Sequence, residues 1–307
     1  MGPLPARPWA PRDASSGRLC GCDRAPVAFP PASPNRLPRR LPGLLVTADR
    51  RPLAGPPDGA VAVPDPVVAA AAGGRLEAVW VNELGGVTWR VSGAGRYVKW
   101  APAGSGLDLL VEAERMVWAG RFAPVPAVLD AGTDGDGSWL VTSAVDASSA
   151  ASAAWRAKPA TAVAAVGAGL RALHDALPVD DCPWSWSIES RVAAAAQRGA
   201  TRPPETSAEE AEGALAAFGA PPEVDRLVVC HGDACCPNTL LDSSGRYIAH
   251  VDLAALGVAD RWADLAVATY STVWNYGPGW EGPLLDAYGI DPDPERTRYY
   301  RQLWDLA

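Results

Sequence analysis

At 307 residues and 48% hydrophobic, the chain is long enough to bury a large core, as one two-lobed domain or two small ones. Its net charge is −8, and no apolar run approaches the roughly 20 residues of a membrane span, which points to a soluble acidic protein. Six cysteines (Cys20, Cys22, Cys182, Cys230, Cys235 and Cys236) without a signal peptide do not suggest a disulfide framework, so the expected compartment is the cytoplasm.

The first 58 residues differ from the rest. They hold 13 of the 30 prolines and nine Arg against four Asp, a charge of +5, which leaves −13 on the remainder. Scattered proline, little aliphatic content and no periodicity predict a disordered leader over 1–58. Leu41 to Val46 is too short for a secretory apolar region and is broken by Pro42. The native start is expected downstream, with Val46, Val61 and Val63 as candidate initiation sites.

Past the leader, Glu83-Leu84-Gly85-Gly86-Val87 is a glycine turn whose backbone amides could approach phosphates. Val87–Val91 and Arg96–Trp100 then read as two strands across the turn Ser92-Gly93-Ala94-Gly95. The second strand carries Lys99, one of only two lysines among 27 basic residues. A compact ammonium on a strand below a loop suits contact with nucleotide phosphates. Walker-type NTPases are disfavoured, because no G-x-x-x-x-G-K-[ST] occurs. Leu107 to Ala119 is a candidate helix with Leu110, Ala113 and Val117 on one face. His174, on a helix with Val163, Val166 and Leu170, reads as packed.

The most informative stretch follows. Leu227–Cys230 reads as a strand and His231–Pro237 as a loop. Thr239–Leu241 and Tyr247–Val251 then form a hairpin across Asp242-Ser243-Ser244-Gly245. That hairpin brings Asn238 at its entry and Asp252 at its exit to the end that carries Asp233. Two carboxylates and an amide at one point suit phosphoryl transfer, where one carboxylate orients the attacking hydroxyl and oxygen ligands hold Mg²⁺. A zinc site from Cys230, His231, Cys235 and Cys236 is the lesser alternative, since their spacing fits no common finger or ribbon.

The four-residue gap between Asp233 and Asn238 equals that of the protein-kinase catalytic loop, and Asp252 falls where that fold's next metal-binding aspartate would come. With His231-Gly232-Asp233, Leu173-His174-Asp175, Asp181-Cys182-Pro183 and the run Gly257 to Ala266, the chain from about Ala60 to Ala307 resembles the aminoglycoside phosphotransferases, and is similar to the aminoglycoside 3'-phosphotransferases. The resemblance implies an α+β, bilobal protein-kinase-like fold: a small antiparallel β N-lobe over 59–143 and a mainly helical C-lobe over 144–307. It implies ATP-dependent, Mg²⁺-assisted phosphorylation of an aminoglycoside hydroxyl, conferring resistance. The rivals are a kinase for another small alcohol (a sugar, an amino alcohol or a different antibiotic) and a nucleotide-binding regulatory protein without turnover.

Carried onto this sequence, the resemblance places Lys99 on the ATP phosphates with Glu112 as its ion-pair partner and Gly85 and Gly86 in the loop above. Asp233 becomes the catalytic residue, and Asn238 and Asp252 the magnesium ligands. Trp139 to Ala144 becomes the interlobe hinge, with Ser143 and Ala144 meeting adenine through backbone groups. His231 and Asp264 become structural, Asp264 holding the catalytic loop near His231. Related enzymes use acidic loops and the chain end for substrate, which makes Glu209, Glu210, Glu281, Asp305 and the Ala307 carboxylate candidates. Glu210 also completes a capping box with Ser207. Where many members have Gly and Arg after the metal-binding aspartate, this chain has Ala254 and Ala255, and its end lacks an aromatic terminus, so regiochemistry stays open. The expected partner is a small molecule, not nucleic acid or a membrane; the sequence leaves oligomeric state open.

Overall fold

A computed structural model describes residues 54–82, 84–191 and 220–306. Glu83, Glu209, Glu210, Ala307 and the Asp305 side chain, all named above, lie outside what it describes, as does the Pro-rich leader up to residue 53. The end of that leader is ordered, contrary to expectation. Ala54–Gly55 forms strand β1, paired antiparallel to the next strand through Ala54↔Asn82 and Gly55↔Val81.

Helix α1 (Asp65–Ala71) leads into β2 (Arg75–Asn82), β3 (Val87–Ser92) and β4 (Arg96–Pro102). Helix α2 (Leu109–Ala119) and strands β5 (Val128–Thr133) and β6 (Gly137–Ser143) follow. The six strands form one antiparallel sheet in the order β1-β2-β3-β4-β6-β5. Period-two alternation decides what each face of this sheet carries. Val87, Trp89, Val91, Val98 and Val141 pack with Val67 and Ala71 of α1. Ala101 and Leu140 point the other way and join Leu109, Ala113 and Met116 of α2. Lys99 shares that second face, since it stands two residues from Ala101 and directly opposite Leu140.

Helix α2 starts at Leu109, not Leu107, because Asp108 caps it by accepting the Leu110 and Val111 amides. Its buried stripe is Leu109, Glu112, Ala113 and Met116, while Val117, expected inside, is 42% exposed. The aliphatic pattern misplaced the face because it left out Glu112, a buried charge drawn inward by Lys99.

The rest is mainly helical. Short strand β7 (Ser148–Ser149) and helices α3 (Ala153–Arg156) and α4 (Pro159–Ala176) precede β8 (Leu227–Cys230), β9 (Thr239–Leu241), β10 (Tyr247–His250) and β11 (Gly257–Asp260). Helices α5 (Trp262–Tyr276), α6 (Glu281–Tyr288) and α7 (Pro294–Leu306) complete the chain. Strand β8 pairs with β11, and β10-β9-β7 form a second small sheet. Leu170 and Leu173 of α4, Val228 and Val229 of β8, Leu265 of α5 and Leu284 of α6 continue the core that begins under α2. Gly167 lets α4 meet α6 closely, since a Cβ there would lie 2.5 Å from the Leu284 carbonyl oxygen. Among the described residues no helix is long and apolar enough to cross a membrane.

Candidate active site

Register explains why Asn238 and Asp252 meet. Strands β9 and β10 pair through His250↔Thr239, and the Val251 amide donates to the Asn238 carbonyl at 3.0 Å, so the next residue on each side flanks the open end of the hairpin. The far end is closed by Asp242, which accepts the Ser244 and Arg246 amides. A 3₁₀ turn over Cys236–Asn238 bends the loop back, and the Asn238 Nδ2 group donates to Asp233 twice, to its carbonyl at 2.9 Å and to Oδ2 at 3.0 Å. With its nitrogen turned to Asp233, Asn238 keeps Oδ1 for another partner. The second carboxylate oxygen of Asp233, Oδ1, is buried with no hydrogen-bond partner among the described residues. The Cys235 thiol beside it is pushed well up by burial and by the Asp233 charge.

Asp252 has φ of 63°, a left-handed conformation rare for a residue with a side chain. Its carboxylate pairs with Lys99. Lys99 also bonds Glu112 Oε1 at 2.7 Å, and Glu112 is only 4% exposed. Strand β4, helix α2 and the segment after β10 are therefore tied together through one ammonium between two carboxylates.

The loop itself hangs from Asp264, in the first turn of α5. Its carboxylate accepts the His231 amide at 2.6 Å, the Gly232 amide at 2.9 Å and His174 Nε2 at 3.0 Å. Burial pulls the Asp264 pKa up, but the bonds and charges of His174, His231 and the Gly232 amide outweigh it and hold the group below its ordinary value. Gly232 is obligatory on two counts: its φ is +83°, and a Cβ would lie 2.3 Å from the Ala255 carbonyl oxygen. His231 is fully buried, donates Nε2–H to the Val251 carbonyl at 2.9 Å and accepts the Asp233 amide on Nδ1 at 3.3 Å. Both ring nitrogens are committed, which leaves no lone pair to act as a base.

Several expected contacts are placed differently. The Gly85 amide donates to the Asn82 carbonyl and the Gly86 amide to Asn82 Oδ1, so both donors serve the β2–β3 turn. The Ser143 amide donates to Ala127 on the β5 side, and the Ala144 amide to Gly95, extending the β4–β6 ladder one residue past the strand. Neither is free for adenine; among the described hydrogen bonds, Val145 has the first uncommitted amide beyond that ladder. Glu281 opens α6, with Oε1 accepting from Arg301 at 2.6 Å and the side chain 43% exposed. The ligand atoms of Cys230, His231, Cys235 and Cys236 do not converge; the one close group of that kind among the described residues is His174, Cys230 and Asp264. His174 is packed, as read, at 3% exposed, and is in addition a bonded partner of Asp264. Its place in the run Leu173-His174-Asp175 was the available signal.

Residues 83–300 match the model of the phosphotransferase enzyme family. An aminoglycoside 3'-phosphotransferase of Streptomyces fradiae is 38% identical over 66% of this chain and 81% of its own length. A streptomycin 3''-kinase of Streptomyces griseus is 36% identical over 76% and 93%. Aminoglycoside phosphotransferase APH(3'')-Id from Streptomyces rimosus superposes with a TM-score of 0.62 at 29% identity, over 78% of this chain and 95% of its own. The same enzyme in complex with ADP and streptomycin gives 0.55, over 72% and 90%. A family match spanning most of the chain, on the same residues that converge around Asp233, leaves one assignment: the chain belongs to the aminoglycoside phosphotransferase family.

Proposed function

We propose that this protein transfers the γ-phosphoryl group of ATP to a hydroxyl of an aminoglycoside and so confers resistance. The observation that carries this is the convergence of Lys99, Asp252, Asn238 and Asp233 at the open end of one hairpin. Relatives named for aminoglycoside phosphorylation, and one structure holding ADP with streptomycin, support the substrate class. The chain is read as two lobes: 59–143, which carries α1, α2 and five of the six strands of the large sheet, holds nucleotide, and 144–307 holds the acceptor. The Pro/Arg-rich leader is read as preceding the native start, and the protein as cytoplasmic.

Each side chain then has a task. Lys99, aimed by Glu112, faces the phosphates, under the turn shaped by Gly85 and Gly86. The backbone past Ser143 and Ala144 faces adenine. The Asp233 carboxylate takes the acceptor hydroxyl's hydrogen bond and, as phosphorus–oxygen bond formation proceeds, its proton; Asn238 holds Oδ2 and so fixes the aim of the carboxylate. Asn238 Oδ1 and the Asp252 carboxylate are hard oxygen donors suited to hold Mg²⁺, which when bound would supply charge neutralisation for the transferred phosphoryl group. His231 and Asp264 hold the loop in shape. A polycationic acceptor suits the −13 charge outside the leader. Glu209, Glu210, Glu281, Asp305 and the terminal carboxylate of Ala307 remain the proposed contacts to its ammonium groups; at Glu281 the acceptor would compete with Arg301.

The test is ADP release across an aminoglycoside panel, with Asp233→Ala as control. Turnover on aminoglycosides that falls by roughly 10²- to 10⁴-fold in the variant supports the proposal. Turnover on a non-aminoglycoside alcohol alone, or on no acceptor, defeats it.

A further inference from the structure

Three hydrogen-bond donors converge on Asp264, and only two come from the catalytic loop. The third, His174 Nε2, reaches across from α4 and shares Oδ2 with the His231 amide. The other ring nitrogen, Nδ1, lies 2.9 Å from the hydroxyl of Tyr288, the last residue of α6, and the two rings meet edge to face at 5.6 Å and 73°. A carboxylate only accepts, so Nε2 carries the hydrogen toward Asp264, while the Tyr288 hydroxyl can satisfy Nδ1 in either sense. The His174 side chain is fully buried and Tyr288 is 1% exposed, so neither can exchange these partners for water. Burial holds the Tyr288 hydroxyl up at about 12, keeping its proton in place. A chain of contacts thus runs from α6 through α4 to α5 and ends on the two amides that precede Asp233.

Any buried histidine needs partners for its ring nitrogens, so what singles out His174 is which partners it has. Here both nitrogens are matched, one to the carboxylate that sets the loop's backbone path. We infer that His174, held by Tyr288, is a positioning residue: it fixes the Asp264 carboxylate and, through the His231 and Gly232 amides, the aim of Asp233. The inference rests on the kinase reading of Asp233 given above. Its consequence is kinetic. Small displacements of a reacting group cost rate far more than they cost substrate affinity, up to about 10²-fold for roughly 1 Å.

The experiment compares the full-length wild type with Tyr288→Phe, His174→Gln and His174→Leu. It measures kcat, both KM values, and amide hydrogen exchange of the peptide spanning residues 228–238 without substrate. His174→Leu should lower kcat roughly 10- to 100-fold with both KM values within about twofold, and should speed exchange in that peptide. Gln, which keeps a side-chain N–H, should recover most of the rate. Tyr288→Phe, which keeps the ring, should lower kcat about threefold and serves if His174→Leu fails to fold. Wild-type kcat and exchange in a folded His174→Leu or Tyr288→Phe would overturn the inference, as would a loss in Gln as large as in Leu. If the wild type phosphorylates no aminoglycoside, the proposed function fails by itself, and the exchange rates still decide the role of His174.

Discussion

Asp264→Asn removes a charge and one acceptor while keeping size. Its cost follows from counting donors. Three of them, at 2.6, 2.9 and 3.0 Å, converge on two carboxylate oxygens, and Asn offers one oxygen. In the better orientation that oxygen keeps the His231 amide and His174, and the new NH₂ group then faces the buried Gly232 N–H. One buried donor left unpaired costs about 1–3 kcal/mol, and two charge-assisted bonds reduced to neutral ones lose about 1 kcal/mol each. The reverse orientation strands two donors and costs more. The sum, about 3–5 kcal/mol, is a large share of a typical stability of about 5–15 kcal/mol, so the variant should fold but only marginally. Urea unfolding followed by tryptophan fluorescence should show the midpoint lower by roughly 1–1.7 M, taking a slope of about 3 kcal/mol per M. A shift below about 0.3 M would mean that Asp264 is not the anchor its geometry implies.

Three more expectations follow from particular contacts. Gly232→Ala places a side chain at φ +83° and 2.3 Å from a carbonyl oxygen, so it should cost about 2–5 kcal/mol in urea and depress kcat through the displaced loop; wild-type kcat would refute the close approach. Burial, with the nearby His231 and His174, holds the His250 pKa well below 6.5. The unfolded chain therefore binds more protons below that value, and stability should be full above about pH 6.5 and fall as pH drops, by up to about 1.4 kcal/mol per unit. His250→Gln should flatten this slope between pH 6.5 and 5, and parallel midpoint curves for the two proteins would exclude the effect. Glu112→Gln should leave Lys99 paired with Asp252 alone and cut kcat/KM for ATP about tenfold, the equivalent of about 1.4 kcal/mol; an unchanged value would separate Lys99 from nucleotide binding.

What was legible in the sequence was local. The positions of Asn238 and Asp252 follow from a hairpin whose turn chemistry, Asp242 to Gly245, sets the register within a few residues, so the meeting point could be read from spacing alone. Lys99 was visible as a singular residue on a patterned strand. The phase of α2 was not, because an aliphatic count cannot know that Glu112 belongs inside until Lys99 stands opposite. The partners of the Ser143 and Ala144 amides were not legible for a similar reason: whether a ladder stops at Ser143 or continues through Ala144 depends on Gly95, about fifty residues earlier.

His174 marks the limit most sharply. Periodicity placed it correctly on the buried stripe of α4, and burial was as far as periodicity could go. Its partners lie 90 and 114 residues away on two other helices. A buried polar side chain must find partners, because leaving it unpaired costs about 1–3 kcal/mol. A histidine predicted to face the core was therefore already a statement that some acceptor and some hydroxyl must meet it there. In an acidic chain whose catalytic loop needs an anchor, a buried carboxylate near that loop is the natural acceptor. Composition and pattern could reach the demand, and only the packing of α4 against α5 and α6 could show that Asp264 and Tyr288 meet it.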